Sequence, residues 1–222
     1  MNIGIIGTGN MGRALGLRWA EGGHRVLFGS RNPDKAKAVA ASAPAGTRTG
    51  DFDDAAEFGE VVLYTVRDVL PSALLRRPEA LVGKVLIDCN NSETFGLDAP
   101  DPQGRPGIHF PMLVPSHAER LAADAPRAHV IKAFNTLPAP VIELGRQALA
   151  AHRVSVFLCG DDARAKAVVK GLAEELGFIG VDSGELERAQ NVEALADFVR
   201  LQILGLGRGV FTTLSLATLQ EA

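Results

Sequence analysis

The chain has 222 residues, 46% of them hydrophobic and 22% charged, with a formal net charge of −3. That length and balance suit one globular domain, or one with a small appendage, and give no general attraction to nucleic acid or an anionic membrane surface. No apolar run is long enough to suggest a membrane span, and the N-terminus enters a strand-like run without a basic leader, so a cytoplasmic protein is expected.

The run at 2–6 predicts the first strand, and Gly7-Thr8-Gly9-Asn10-Met11-Gly12 follows it directly, before helix-forming residues through Glu21. Strand, tight turn and helix start are the context a dinucleotide fingerprint requires. Gly7 allows the turn, Gly9 lets the backbone approach a pyrophosphate, and Gly12 lets helix and strand pack closely. The helix start adds free N–H groups and partial positive charge. Gly22-Gly23 then closes the helix, and 25–29 reads as the second strand. An NAD site would place a carboxylate at its end; this chain has Ser30-Arg31-Asn32, a hydroxyl and a permanently charged fork suited to the 2′-phosphate of NADP. Lys35, one turn into the helix that Pro33 opens, offers a second cation; the plain alternative for this turn is a solvated basic surface.

Further strands are predicted over 47–49, 61–66, 84–89, 129–134, 153–159 and 178–182, with helices over 12–21, 34–43, 69–76, 140–150 and 163–176. Several strands are continuous Val/Ile/Leu runs, the pattern of strands covered on both faces. The alternation implies an α/β fold, a doubly wound parallel sheet with right-handed crossovers. Residues 1–184 are expected to form the nucleotide-binding domain. Residues 185–222 read as a C-terminal helical extension, with Val192, Leu195, Ala196, Val199 and Ile203 on one face of a helix over 186–204. The apolar tail over 210–219 either completes its own core or packs against a second subunit. The proline-rich segment over 90–115 is the one long irregular stretch, and such loops tend to carry function.

Ligands of open α/β sheets bind beyond the carboxyl ends of the strands. That rule nominates the glycine turn, Ser30-Arg31-Asn32, Thr65, Val66 and Arg67 after the fourth strand, Asn90 and Asn91 after the fifth, and Ala133, Phe134, Asn135 and Thr136 after the sixth. Asn135 is the candidate for aligning the nicotinamide or its reaction partner; a turn role is the alternative for each asparagine. No nucleophile elbow, zinc-binding helix or Cys-x-x-Cys pair is present. His109 and His117, eight residues apart, are a weak basis for a metal site, and none is expected. Tyr64 reads as a buried aromatic, and Cys89 and Cys159 as apolar fillers in a reducing compartment. With no evident acid or base, the chemistry that fits is hydride transfer between NADPH and a second redox cofactor, which needs mainly alignment and exclusion of water.

The glycine turn, Gly29-Ser30-Arg31, Lys132-Ala133-Phe134-Asn135-Thr136, Cys159-Gly160-Asp161-Asp162 and Asp182-Ser183-Gly184 together resemble the coenzyme F420-dependent NADP oxidoreductase family. They are also similar to the cytosolic oxidoreductase domain of the six-transmembrane metalloreductases. The resemblance implies a Rossmann fold, a homodimer, and a second cofactor, deazaflavin F420 or a flavin, stacked on the nicotinamide near the sixth strand and C-terminal helix. The chain departs from the family pattern at Asn135, where a histidine is usual, and in the longer 90–115 connection. Two other readings stay open: an NADPH-dependent reductase of a small carbonyl or imine, and a non-catalytic NADP(H) sensor.

Overall fold

The computed structural model describes residues 1–91 and 115–219. Each expected strand appears, shifted by at most two residues at either end: β1 (Asn2–Ile6), β2 (Arg25–Gly29), β3 (Arg48–Gly50), β4 (Val61–Tyr64), β5 (Val85–Asp88), β6 (His129–Lys132), β7 (Ser155–Leu158) and β8 (Ile179–Asp182). The first six form one parallel sheet in the order β3-β2-β1-β4-β5-β6. The chain builds outward through β2 and β3, then returns to the other side of β1. The β1/β4 boundary is therefore the switch point where such sheets open a crevice.

The doubly wound parallel sheet is as expected, but the last two strands lie outside it. β7 and β8 pair in parallel as a separate two-stranded ladder, which meets the main sheet through one antiparallel bridge. Lys132 and Cys159 exchange backbone hydrogen bonds there, at 2.9 and 3.1 Å. Gly160 permits the approach, since a Cβ would strike Ile131 and the Val130 carbonyl. The helix expected over 140–150 is also broken. Gly145, at φ 86°, separates α6 (Ala139–Ile142) from α7 (Arg146–Ala151).

Helices cover both faces. α1 (Asn10–Glu21), α2 (Pro33–Ala40), α6, α7 and α8 (Ala163–Glu175) pack on the face that presents Ile3, Ile5, Phe28, Leu63 and Ile87. There Trp19 meets Phe134 edge-on with ring centroids 5.8 Å apart. α3 (Phe52–Phe58), α5 (His117–Asp124) and α9 (Ala189–Arg200) contribute to the core on the opposite face, over Ile6, Leu27, Val62, Tyr64 and Leu86. The alternation along β1, β2 and β4 is what a strand's two-residue period requires.

The sequence reading missed α3 and α5, and each starts with a capping box, Asp51 with Asp54 and Ser116 with Glu119. The helix expected over 69–76 shrinks to the single turn α4 (Pro71–Leu74), followed by a tight turn at Pro78–Leu81. α9 begins later than expected, after a tight turn at Leu186–Arg188, and ends in a π-helical turn at Leu201–Gly205. The tail beyond it has no regular structure but lies along β7, where Ser155 donates to the Leu214 carbonyl at 3.0 Å. Leu214 joins the core, while Phe211, Leu216 and Leu219 are exposed. No helix among the described residues is long and apolar enough to cross a membrane.

Candidate functional site

The glycine turn has three distinct reasons for its glycines. Gly7 sits at φ 109°, and a side chain there would run into Thr65. A Cβ on Gly12 would strike the Gly7 carbonyl. Gly9 is different: it is exposed, at φ −72°, and a Cβ there would meet no protein atom within 4 Å. Nothing in the fold requires glycine at position 9. It precedes α1 with no side-chain cap and no acidic residue in the first turn, which leaves the helix N-terminus open to an anion.

Ser30 is buried at the end of β2, its hydroxyl 3.3 Å from that of Thr8 and accepting from the Asn32 backbone at 3.1 Å. Arg31 and Lys35 are exposed, and neither forms an ion pair among the described residues. Asn32 has a job within the fold. Its side-chain oxygen caps α2, accepting from the backbones of Asp34 and Lys35 at 3.0 and 3.1 Å.

A cavity of about 810 Å³ opens at the carboxyl ends of β4 and β5 and beyond β6. It brings together Gly9, Asn10, Met11, Thr65, Arg67, Asn90, Asn91, Asn135 and Thr136 of the residues nominated from sequence. Gly7, Thr8, Gly12, Ser30, Arg31, Asn32, Lys35, Val66 and Ala133 do not line it. Ala133 departs furthest from its expected role: its side chain is wholly in the core and its N–H is bonded to the Asp88 carbonyl at 3.0 Å. β4 and β6 end two residues early, at Tyr64 and Lys132, so Thr65 and Asn135 lie past the ladder, at the rim. Thr65 donates its hydroxyl to the Ile6 carbonyl at 3.0 Å. The further walls are Leu137 to Pro140, together with Ala196, Val199, Arg200, Ile203, Leu204 and Val210. Most of the expected 90–115 loop, with His109, lies outside the described residues.

Asn135 is buried, and its amide nitrogen donates to Asn91 Oδ1 at 2.8 Å and to the Val192 carbonyl at 3.0 Å. Among the described residues its Oδ1 has no hydrogen-bond partner. Buried polar atoms are ordinarily satisfied, so an orphaned acceptor on a residue that lines the cavity is an exception that singles Asn135 out. Asn90 is engaged instead: its amide donates to the Tyr64 carbonyl and to Asp88, both at 3.0 Å. Cys89 also reaches the cavity, but burial pushes its thiol up to about 12, which leaves it inert. Burial likewise raises the Tyr64 phenol, whose hydroxyl donates to the Val69 carbonyl, in keeping with a buried aromatic rather than an acid.

Beneath the cavity lies an ionic network that sequence reasoning missed. Lys132 is fully buried, its Nζ 2.8 Å from Asp88 and 2.7 Å from Glu193, and it donates also to the Asn90 carbonyl. His117 Nδ1 lies 2.9 Å from the other Asp88 oxygen, and the His117 backbone donates to Glu193 at 2.9 Å. Burial alone would raise the Asp88 carboxyl, but Lys132 and His117 outweigh it and hold the group well below the usual carboxylate range. The network ties α9 and α5 to the ends of β5 and β6. Further along α9, Asp197 is also buried, with Oδ1 3.1 Å from Arg200 Nη1 and Oδ2 without a partner among the described residues. Burial, with the Glu193 charge adding to it, pushes its carboxyl up to about 6. The signals available were Asp88 and Lys132 inside runs read as strands, and Glu193 and Asp197 beside the apolar stripe of a helix.

Residues 2–92 match the family model described as NADP oxidoreductase, coenzyme F420-dependent. The F420-dependent NADP reductase of Methanothermobacter marburgensis is 30% identical over 207 residues, covering 88% of this chain and 89% of that protein. Metalloreductase STEAP3 of Rattus norvegicus is 32% identical over 193 residues, or 87% of this chain. This chain spans 36–40% of the length of the metalloreductase relatives it matches. Among solved structures, a putative F420-dependent NADP-reductase from Arthrobacter sp. FB24 superposes with a TM-score of 0.76 at 26% identity, covering 97% of this chain and 99% of that one.

Proposed function

The chain belongs to the family of coenzyme F420-dependent NADP oxidoreductases, and from that premise we propose that it transfers a hydride between NADP(H), held at the glycine turn, and a flavin or deazaflavin F420 in the 810 Å³ cavity. The observation that carries this reading is the cavity itself. It runs from Gly9, where open space takes the place of a side chain, to Asn135, whose buried Oδ1 has no partner among the described residues. NADPH supplies the hydride from its nicotinamide ring.

The chain's own residues bind and align. The α1 N-terminus receives the pyrophosphate at Gly9, Asn10 and Met11, while Ser30, Arg31 and Lys35 surround the 2′-phosphate, with Asn32 fixing the turn. Thr65 and Arg67 flank the nicotinamide ribose. Asn135, pinned through its amide nitrogen, presents Oδ1 to a donor on the nicotinamide amide or the acceptor ring. The apolar walls from α6 and α9 exclude water.

In this reading, residues 185–222 complete the second-substrate pocket; Ala196, Arg200 and Ile203 on its wall support that role. The exposed Leu204, Leu206 and Phe211 beside them support a homodimer contact, and two free buried cysteines fit a cytoplasmic setting. The direct test is oxidation of NADPH against a panel of flavins, F420, and small carbonyls and imines. Turnover restricted to carbonyls or imines, or none with any acceptor, would overturn the assignment.

A further inference from the structure

Resting on the flavin or deazaflavin reading above, we propose that Arg200 binds a phosphate ester on the side chain of the second substrate, and that Asp197 is the positioning residue that holds Arg200 for it. The preferred acceptor is then a phosphorylated ring compound rather than the bare ring.

Arg200 is the one charged side chain that α9 brings to the cavity, where it sits among Ala196, Val199 and Ile203. Its side chain is 31% exposed, and among the described residues its one hydrogen bond runs from Nη1 to Asp197 Oδ1, so the rest of the guanidinium fork has no acceptor there. Asp197 is 1% exposed and leaves Oδ2 unsatisfied. A buried carboxylate bonded through one oxygen is a costly way to fill space. What it provides is a fixed counter-charge that selects one arrangement of a long, flexible cation. A planar fork held in this way is preorganised for the oxygens of a phosphate.

Two further observations fit. The helix widens directly after Arg200 into the π turn Leu201–Gly205, with Leu206 N–H bonded to the Leu201 carbonyl at 2.9 Å. Such widenings recur at functional sites, and this one carries Ile203 and Leu204 onto the cavity wall as an apolar platform beside the cation. The charged groups on the described part of the wall are Arg67, Arg200 and a single acid, Asp68. Arg67 stands with Thr65 near the glycine turn, where NADP's own phosphates take its charge. Arg200 remains for the acceptor.

The test compares ligands that share a ring: FMN against riboflavin, which differ in the phosphate alone, and F420 against the deazaflavin lacking the phosphodiester and the acidic tail it carries. Each is titrated by fluorescence quenching into protein saturated with NADP+. A charge-assisted contact predicts that the phosphorylated member binds about ten- to a hundredfold more tightly. Arg200→Ala should bring that ratio close to one, Arg200→Lys should keep part of it, and Asp197→Asn should lower it several-fold although no cation is removed. In the unmodified protein, added salt should weaken FMN or F420 binding and spare the uncharged partner, a readout independent of any variant's folding. Equal affinities within each pair, or a preference that survives Arg200→Ala, would overturn the inference and leave the hydride-transfer reading standing. Failure of every flavin and deazaflavin to bind would overturn that reading as well.

Discussion

Asp197→Asn should make the protein more stable while weakening its grip on the acceptor. The wild-type carboxyl is pushed up to about 6 from the 3.8 of an ordinary aspartate, because burial disfavours its charge and Glu193 adds to the effect, with Arg200 opposing both. At about 1.36 kcal/mol per pH unit, that difference corresponds to about 3 kcal/mol. The group's pKa is higher folded than unfolded, so its contribution favours folding below pH 3.8 and is lost as pH rises through 6. Above pH 6 the wild type therefore carries a destabilisation of about 3 kcal/mol at most, and nearer 1–2 where solvent reaches the Arg200 side of the pair. Asparagine keeps an oxygen for Arg200 and places its amide nitrogen where Oδ2 has no partner. It removes the charge at nearly constant volume. Urea unfolding of both proteins from pH 4 to pH 8 isolates the effect, because the other carboxylates titrate in both and cancel. The variant should match the wild type near pH 4 and exceed it by about 1–3 kcal/mol at pH 8. A difference that does not change with pH, or a variant less stable at pH 8, would refute the account of Asp197 as a buried charge that Arg200 compensates only in part.

Arg31→Ala should weaken NADPH binding by about 1.5–3 kcal/mol and leave NADH nearly unchanged; equal affinity of the wild type for the two nucleotides would remove the 2′-phosphate assignment. Gly9→Val should abolish nucleotide binding in a protein with a wild-type melting temperature, because its side chain meets solvent and ligand rather than protein; intact binding would move the pyrophosphate elsewhere. Asn135→Ala should cut turnover by about one to two orders of magnitude with little change in NADPH affinity, the pattern of an aligning contact. Wild-type turnover would reduce Asn135 to its hydrogen bonds with Asn91 and Val192. Lys132→Met should destabilise the fold by about 3–5 kcal/mol by stranding Asp88 and Glu193, as measured by urea unfolding.

What the sequence made legible was whatever local chemistry dictates. The strands were readable because a strand buried on both faces must be apolar throughout, and Ile3 to Ile6 or Val61 to Leu63 satisfies that without help from distant residues. The glycine turn was readable because its backbone demands are met within six residues. α3 and α5 were missed although their capping boxes, Asp51 with Asp54 and Ser116 with Glu119, were written in the chain. The shared reason is length: helices of seven and eight residues offer too few periods for an apolar stripe to stand out. The split at Gly145 and the separate β7–β8 ladder depend on which surfaces meet across the fold, which local pattern does not encode.

The site divides along the same line. Gly9, Thr65, Arg67, Asn90 and Asn135 were nominated by one rule, that ligands gather at the carboxyl ends of strands, and the cavity gathers them. Ala133 fell under that rule too, yet its side chain turns inward, because a strand end alternates its side chains between faces just as the strand does. The Asp88–Lys132–Glu193–His117 network was invisible for a different reason. Its members lie 105 residues apart at the extremes, and nothing local says which of them pair. Only packing shows that Lys132 neutralises two carboxylates in the interior, and that removing it would release α9 from the sheet end. α9 also carries Val192, whose carbonyl pins Asn135, and Arg200, which reaches the cavity. The buried charges thus hold the elements that frame the pocket, although none of the four is among its described lining residues.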